Sequence, residues 1–472
     1  MPLATTPMLI RVPQGPSAKV AYERIRAAHL ADVQAALEDH VGRLDWPREQ
    51  IDRYRTHRLR ALLGYARERS PFHAERLKGL DPTTATVADL APVPMMTKQD
   101  AQELWDAIIT VPGLTRADTE HILSVQQWFS YTSGDQQVFS SGGSSGVRGV
   151  YVWDWELFVS VACLAWRMQA REEAHTATQG PTRLAVLEAG VPPHASTPLF
   201  DVPTAPGMET VVIAAGAPFG EVLAAVAAAR PTHLVGYASV IGRLARAALT
   251  GELTLSPVRV STNSEPLLDE DRAAIHEAWN VPVHNLWGST EIGVQAVGCG
   301  RGDGLHVCED EVVLERVDDN GTPVGPDQPA ARTLATGLAN RTFPFIRYDL
   351  GDSVEWLTEA CPCGSAYLRV ADIGGRRDDD FRYGTTTIPA GTFRHVLGTD
   401  PRVSEYQVTQ TVDGAQILVV GSPDVEALTA AVSGAVRRHG LTNPQILIQI
   451  VDRIPRHAAS GKLRRFVPRR GG

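Results

Sequence analysis

The chain has 472 residues, a formal net charge of −9, 43% hydrophobic and 21% charged residues, the balance of a globular protein too long for one ordinary core. Its basic residues form no long run, which argues against a nucleic-acid partner, and no apolar run reaches the ~18 residues of a membrane span. The opening MPLATTPMLIRVPQG lacks the charged start and long apolar centre of a secretion signal, and the five cysteines are odd in number with four in two tight groups, so a cytoplasmic, reduced protein is expected.

From Ala18 to about Arg69, apolar residues recur at spacings of three and four (Val20, Ile25, Leu30, Val33, Leu37, then Ile51, Leu59, Leu62, Leu63), which predicts packing helices. Thr97 is the expected N-cap of a further helix running through Leu104. Val138 to Tyr151, VFSSGGSSGVRGVY, then reads as strand, open loop, strand. Glycine lets a backbone turn its N–H groups inward and serine hydroxyls add rotatable donors, so this loop suits an anion; the alternative is a flexible hairpin tip.

Downstream, short apolar strands (Leu184–Leu187, Val211–Ala214, Leu234–Gly236, Val258–Ser261, Val283–Leu286) alternate with helical patterns (Trp155–Ala170, Glu221–Ala229, Ile241–Ala248, Asp269–Trp279). Strict alternation predicts a parallel sheet covered on both faces, with ligands beyond the strands' C-terminal ends, and HNLWGSTEIG follows one such end. From Glu311 the pattern becomes β-rich (Val312–Val317, Arg332–Thr336, Leu368–Ile373). After Arg377, Tyr406–Thr411 and Gln416–Val420 face each other across a Val-Asp-Gly turn, followed by a helix from Asp424 to about His439 and a strand from Ile446 to Val451. The expected fold is therefore α/β: a large N-terminal domain of layered α/β sheets with a β-rich subdomain (1–377) and a small α+β C-terminal domain (378–472), which the resemblance described next implies is mobile.

Five motifs then fall in order: SGGSSG at 141–146, WGSTE at 287–291, RYDLGD at 347–352, GRRDD at 375–379 and IPRHAASGKLRR at 454–465. With YARERSPFHAERL, PMMTKQD, CGRGDGLHVCED and CPCGSAYLRV they resemble the adenylate-forming superfamily, and within it the phenylacetate-CoA ligase-like branch, over nearly the whole chain from Tyr65. The resemblance implies ATP-dependent activation of a carboxylic acid to an acyl-adenylate, then transfer to the thiol of coenzyme A with release of AMP.

Residue by residue, it implies that Ser141, Gly142, Gly143, Ser144, Ser145 and Gly146 hold phosphates, with Gly142 where the family has serine and Val147-Arg148 where it has Lys-Pro, so that Arg148 restores a charge. Thr290 meets the α-phosphate and Glu291 holds Mg²⁺, a hard cation that prefers oxygen. Trp287, Gly288 and Ser289 lie against the nucleotide, Ser264, Glu265 and Pro266 frame adenine and the acyl pocket, and Asp352 with Arg376 takes the ribose. Lys462 bridges substrate carboxylate and α-phosphate, where a preorganised cation is worth about 3 kcal/mol of barrier. Asp378 is the implied hinge and Gly384 marks the thiol channel.

Without the resemblance, Thr290-Glu291 reads as helix capping, Asp352 as a turn aspartate and Lys462 as a solvated tail charge. Cys299, His306, Cys361 and Cys363 form a candidate structural Zn²⁺ site, with Cys308 as a substitute for His306 and free thiols as the alternative. Cys163 reads as core. Tyr131, Phe139, His194 and Tyr237 are acyl-pocket candidates for an aromatic or heteroaromatic acid. Two other readings stay open: transfer to a carrier-protein thiol or an amine, and a non-catalytic nucleotide-binding relative. A homodimer is common among relatives.

Overall fold

Two long helices, Pro16–Gly42 and Arg48–Arg69, lead the chain of a computed structural model that describes residues 16–126, 136–141, 149–175, 181–189, 194–200, 208–400, 402–457 and 461–469. The second buries Ile51, Leu59, Leu62, Leu63 and Ala66 on the stripe that the three-and-four spacing predicts. The segment around it is pinned by charge: Arg48 and Arg55 reach Glu309 at 2.7 and 2.6 Å, and Arg43 and Arg58 reach Glu311 at 3.0 and 2.8 Å. Thr97 caps the helix Lys98–Glu103 through a capping box with Asp100.

Strands β1 (Gln137–Ser140) and β2 (Val150–Trp153) form an antiparallel ribbon with Ser140 opposite Val150, as the strand-loop-strand reading predicts. The helix Trp155–His175 follows, then β3 (Arg183–Glu188), β4 (Glu209–Ala214), β5 (His233–Tyr237), β6 (Arg259–Asn263), β7 (Val283–Ser289), β8 (Gly293–Val297) and β9 (Leu305–Val307). The helices Phe219–Ala229, Ala238–Leu249 and Asp269–Trp279 connect successive strands. A three-stranded sheet of β10 (Val312–Val317), β11 (Arg332–Gly337) and β12 (Tyr348–Asp349) precedes two short strands, β13 (Trp356–Leu357) and β14 (Arg369–Val370).

The large sheet runs β13-β14-β9-β8-β7-β6-β5-β3-β4. From β4 to β7 neighbours are parallel, as strand–helix alternation requires, while from β7 to β13 they are antiparallel, with short connections between β7, β8 and β9 and with β14 returning beside β9 only after β10–β12. Only Arg369–Val370 of the expected strand Leu368–Ile373 pairs.

The last stretch packs on itself, its apolar cluster drawn from Phe381 to Phe466. Here β15 (Phe381–Tyr383) and β16 (Thr386–Ile388) form a hairpin, and β17 (Val403–Gln410), β18 (Gly414–Gly421), β19 (Gln445–Ile450) and β20 (Phe466–Val467) form a sheet ordered β19-β18-β17-β20. The helix Val425–Arg438 covers it. Among the described residues no helix is long and apolar enough to cross a membrane.

Candidate active site

Parallel strands carry their functional groups at their C-terminal ends, and here Glu188, Tyr237, Asn263 and Ser289 end β3, β5, β6 and β7. Over them opens a cleft lined by Ser141, His194, Ser196, Ser264, Gly288, Thr290 and Lys462, with Trp153, Leu199, Phe200 and Leu286 on its apolar side. Ser264 sits at φ 64°, a left-handed conformation that costs a side-chain-bearing residue about 1 kcal/mol or more and is stored mainly at functional sites.

Thr290 and Glu291 occupy the turn between β7 and β8. Glu291 is buried, and its Oε1 accepts hydrogen bonds from Tyr151 at 2.7 Å and Tyr348 at 3.2 Å. Burial, reinforced by Glu291, pushes both phenols well above their ordinary range, so they remain donors. The Trp153 indole donates to the Thr290 carbonyl at 2.9 Å, fixing the turn. Beside it, the Trp287 indole N–H donates to Asp352 Oδ2 at 2.8 Å, and Arg376 Nε stands 3.4 Å from Asp352 Oδ1. Burial raises the Asp352 carboxyl against the opposing pull of Arg376 and the indole.

Ser141 begins the glycine-serine loop; Gly142, Gly143, Ser144, Ser145, Gly146 and Arg148, like Tyr131, lie outside the described residues. The Ser141 backbone pairs with Gly149, whose N–H also meets Ser141 Oγ at 3.2 Å. Lys98, at the start of its short helix, donates from Nζ to the same hydroxyl at 3.2 Å. Burial depresses the Lys98 ammonium, partly offset by Glu291. Sequence reasoning assigned this lysine no role, although it lies in the PMMTKQD stretch, one residue past the Thr97 cap.

Lys462 enters the cleft from the C-terminal segment, its Nζ 5.5 Å from the Tyr237 ring centroid. The preceding Gly461, at φ 68°, is packed so tightly that a Cβ there would lie 2.6 Å from the Gly216 nitrogen. Glu265 holds the following residue: its Oε1 accepts from the Leu463 N–H at 2.7 Å and its Oε2 from the Ser239 N–H at 3.1 Å. Both carboxylate oxygens of Glu265 are thereby engaged by backbone N–H groups. Arg456 Nη1 donates to Ser239 Oγ at 2.8 Å while pairing with Glu405, and Arg465 meets Asp271 at 3.2 Å.

On the antiparallel side of the sheet, Cys299 follows β8, His306 lies in β9, and Cys361 and Cys363 occupy the turn before β14; their ligand atoms all lie within 4.8 Å of one another. Cys299 and Cys361 sulfurs are 3.5 Å apart, and Cys363 Sγ is 3.4 Å from His306 Nε2. Three soft sulfurs and one imidazole at this spacing match a tetrahedral zinc donor set.

No family model matches the chain. It is 25% identical over 397 residues to the phenylacetate-coenzyme A ligase of Thermus thermophilus, covering 79% of this chain and 82% of that protein. It is also 25% identical over 333 residues to the protein CapK of Staphylococcus aureus, 68% of this chain and 67% of that one. The structure of 2-hydroxyisobutyryl-CoA ligase in the postadenylation state superposes with a TM-score of 0.70 at 20% identity, covering 91% of both chains. The chain has the adenylate-forming fold and is phenylacetate-CoA ligase-like in sequence. In its thioesterification state the same ligase superposes at 0.58, covering 90% of this chain and 91% of that one at 21% identity.

Within that fold the remaining candidates separate. Asp378 is exposed in the short turn Arg377–Asp379, and Gly384, at φ 59°, turns the β15–β16 hairpin. His194 lines the cleft, and Tyr237 lies under Lys462. Phe139 does not line the cleft: fully buried, it packs edge-on against Trp153 in the core, 5.0 Å between ring centroids, because both faces of β1 are covered. Cys308 is likewise corrected; wholly buried beside Arg167, it stands apart from the four clustered donors. Cys163 is core, as expected.

Proposed function

We propose that this chain is an AMP-forming acid–CoA ligase of the cytoplasm, acting on an apolar, aromatic or heteroaromatic carboxylic acid. The observation that carries the reading is the convergence of Lys462, Thr290 and the Glu291 turn on one cleft at the ends of parallel strands. A substrate carboxylate oxygen attacks the α-phosphorus of ATP and pyrophosphate leaves; then a thiolate attacks the acyl carbon and AMP leaves. In the first step the Lys462 ammonium offsets negative charge building between carboxylate and phosphate.

Asp352 supplies acceptors to the ribose hydroxyls, with Arg376 and Trp287 holding its orientation. Glu291 would hold Mg²⁺, fixed by two tyrosine donors, and the ion would neutralise phosphate charge when bound. Lys98 stands at the base of the glycine-serine loop and supplies a cation to the phosphates, in a loop where the relatives' lysine is replaced by Val147. The apolar wall of Trp153, Leu199, Phe200 and Leu286 suits a flat apolar acyl group. Residues 1–377 and 378–472 act as two domains hinged at Asp378, with Gly384 facing the thiol after rotation. Cys299, His306, Cys361 and Cys363 hold a structural zinc ion.

The test is pyrophosphate release with a panel of carboxylic acids, followed by mass spectrometry of the product with coenzyme A, carrier proteins or amines as acceptor. In Lys462→Ala, pyrophosphate exchange is expected to fall at least a hundredfold, about 2.7 kcal/mol. An unchanged rate removes the assigned role, and product formation only with amines or carrier proteins replaces coenzyme A as acceptor.

A further inference from the structure

Glu188 ends β3 and is 0% exposed, behind the wall of the cleft. Tyr237 from β5, Asn263 from β6 and Ser196 from the helix Ser196–Phe200 turn polar atoms towards it, and Lys462 is the cation whose field it feels. None of the described residues gives either of its carboxylate oxygens a hydrogen bond of good geometry. Burying a carboxylate this way costs several kcal/mol unless a nearby charge compensates it. Glu265, the other carboxylate near Lys462, is already committed to the Ser239 and Leu463 N–H groups. Glu265 anchors the backbone just beyond the lysine, while Gly461, the residue before it, packs on Ala215 and Gly216, and the Ala215 N–H donates to the Glu188 carbonyl at 2.8 Å, so the end of β3 and Lys462 are neighbours.

We infer that Glu188 is the positioning residue of Lys462: its buried charge keeps the amine protonated and seated in the cleft for the adenylation step. The inference rests on the adenylation reading given above. Burial lowers the Lys462 ammonium; Glu188 foremost, then Glu265, opposes that loss, Arg376 adds to it, and Glu291 opposes it again. A neutral amine cannot offset the charge that builds on the transferred oxygens, so the carboxylate behind the wall preserves the form of lysine that chemistry needs. The converse also holds: burial raises Glu188 to about 7, with Lys462 as the leading opposing influence.

Seating of Lys462 and ionisation of Glu188 are therefore linked. The carboxyl lies lower with Lys462 seated than with it withdrawn, so below about 7 it is protonated in both arrangements and contributes nothing. As pH rises through that value the seated arrangement gains, until the withdrawn carboxyl ionises too.

Two measurements on the full-length protein decide this. Competitive labelling of Lys462 by an acid anhydride across pH 6–9, read by mass spectrometry without substrate, should show the Glu188→Gln amine reacting about tenfold faster than wild type at pH 8, one unit of lost proton affinity. Glu188→Asp should fall between. With an active acid, Glu188→Gln should lower kcat for pyrophosphate exchange about tenfold with the ATP KM unchanged, and flatten the rise of rate through pH 7, while thioester formation from presynthesised acyl-adenylate keeps its rate. Equal labelling in wild type and Glu188→Gln overturns the inference, as does an equal loss in both half-reactions. If the wild-type protein releases pyrophosphate with no acid, the adenylation reading fails, and labelling still decides whether Glu188 holds Lys462.

Discussion

Gly461 and Gly216 meet backbone to backbone, so closely that a Cβ on Gly461 would lie 2.6 Å from the Gly216 nitrogen. This contact seats the segment carrying Lys462 against the end of β4, and Gly461 adopts φ 68°, where side chains are strained. Gly461→Val should displace Lys462 from the cleft. Pyrophosphate exchange is expected to drop at least tenfold, with thioester formation from a presynthesised acyl-adenylate spared, since that step does not need the segment seated. Equal loss in both would mean that the contact serves folding alone.

Lys98 and Ser141 share a hydrogen bond at the mouth of the glycine-serine loop. Lys98→Ala removes a half-buried cation beside the expected phosphate site and should raise the ATP KM about tenfold, the scale of one charge-assisted hydrogen bond. The KM for the acid should stay within about twofold, because charge near phosphates does not touch the acyl wall. Lys98→Arg, which retains the charge, should recover part of the loss. Steady-state kinetics with each substrate varied in turn distinguishes these.

The four-donor cluster predicts one zinc ion per chain by elemental analysis of protein purified without chelator. Cys361→Ser should abolish that metal and lower Tm, since Cys299, Cys361 and His306 are buried and the ion would tie the turn before β14 to β9 and the end of β8. Metal content unchanged in Cys361→Ser would remove this assignment.

Arg167 and Asp310 form a buried two-pronged ion pair at 2.7 and 3.2 Å, joining the helix Trp155–His175 to the turn that also holds Arg43. Against a burial penalty, Arg167 holds Asp310 below the ordinary carboxylate range. A carboxyl lowered on folding stabilises above its unfolded value near 3.8, and that stability is lost as pH falls through the lower folded value. Arg167→Met takes away the two-pronged partner and leaves the buried carboxylate only Arg43, 3.6 Å away, costing about 3 kcal/mol at pH 7. The sign then reverses: the orphaned carboxyl is raised, so acidification from pH 7 to 5 should recover part of the loss in the variant and none in wild type. Denaturant unfolding at the two pH values measures this.

Local sequence determined much of this molecule. Apolar spacing placed the leading helices, strand–helix alternation gave the parallel half of the large sheet, and the Val-Asp-Gly turn set the β17–β18 hairpin, because each pattern acts over a few neighbouring residues. The same locality showed the Cys361-Pro-Cys363 pair and placed Thr290-Glu291 at a strand end, while the resemblance joined Cys299 and His306 to the two cysteines some sixty residues on.

What only the tertiary structure decided concerns side chains whose partners are far away in the chain. Phe139 and Ser140 sit in one strand, yet covering of both faces sends the phenylalanine to the core and leaves the serine at the cleft. Cys308 and His306 are two residues apart, but the buried Arg167–Asp310 pair claims the surroundings of the cysteine, leaving the imidazole to the sulfurs. Glu265 finds its partner in the backbone of Leu463, 198 residues on. Burial and charge are sums over everything packed nearby, and no short window of sequence contains that sum.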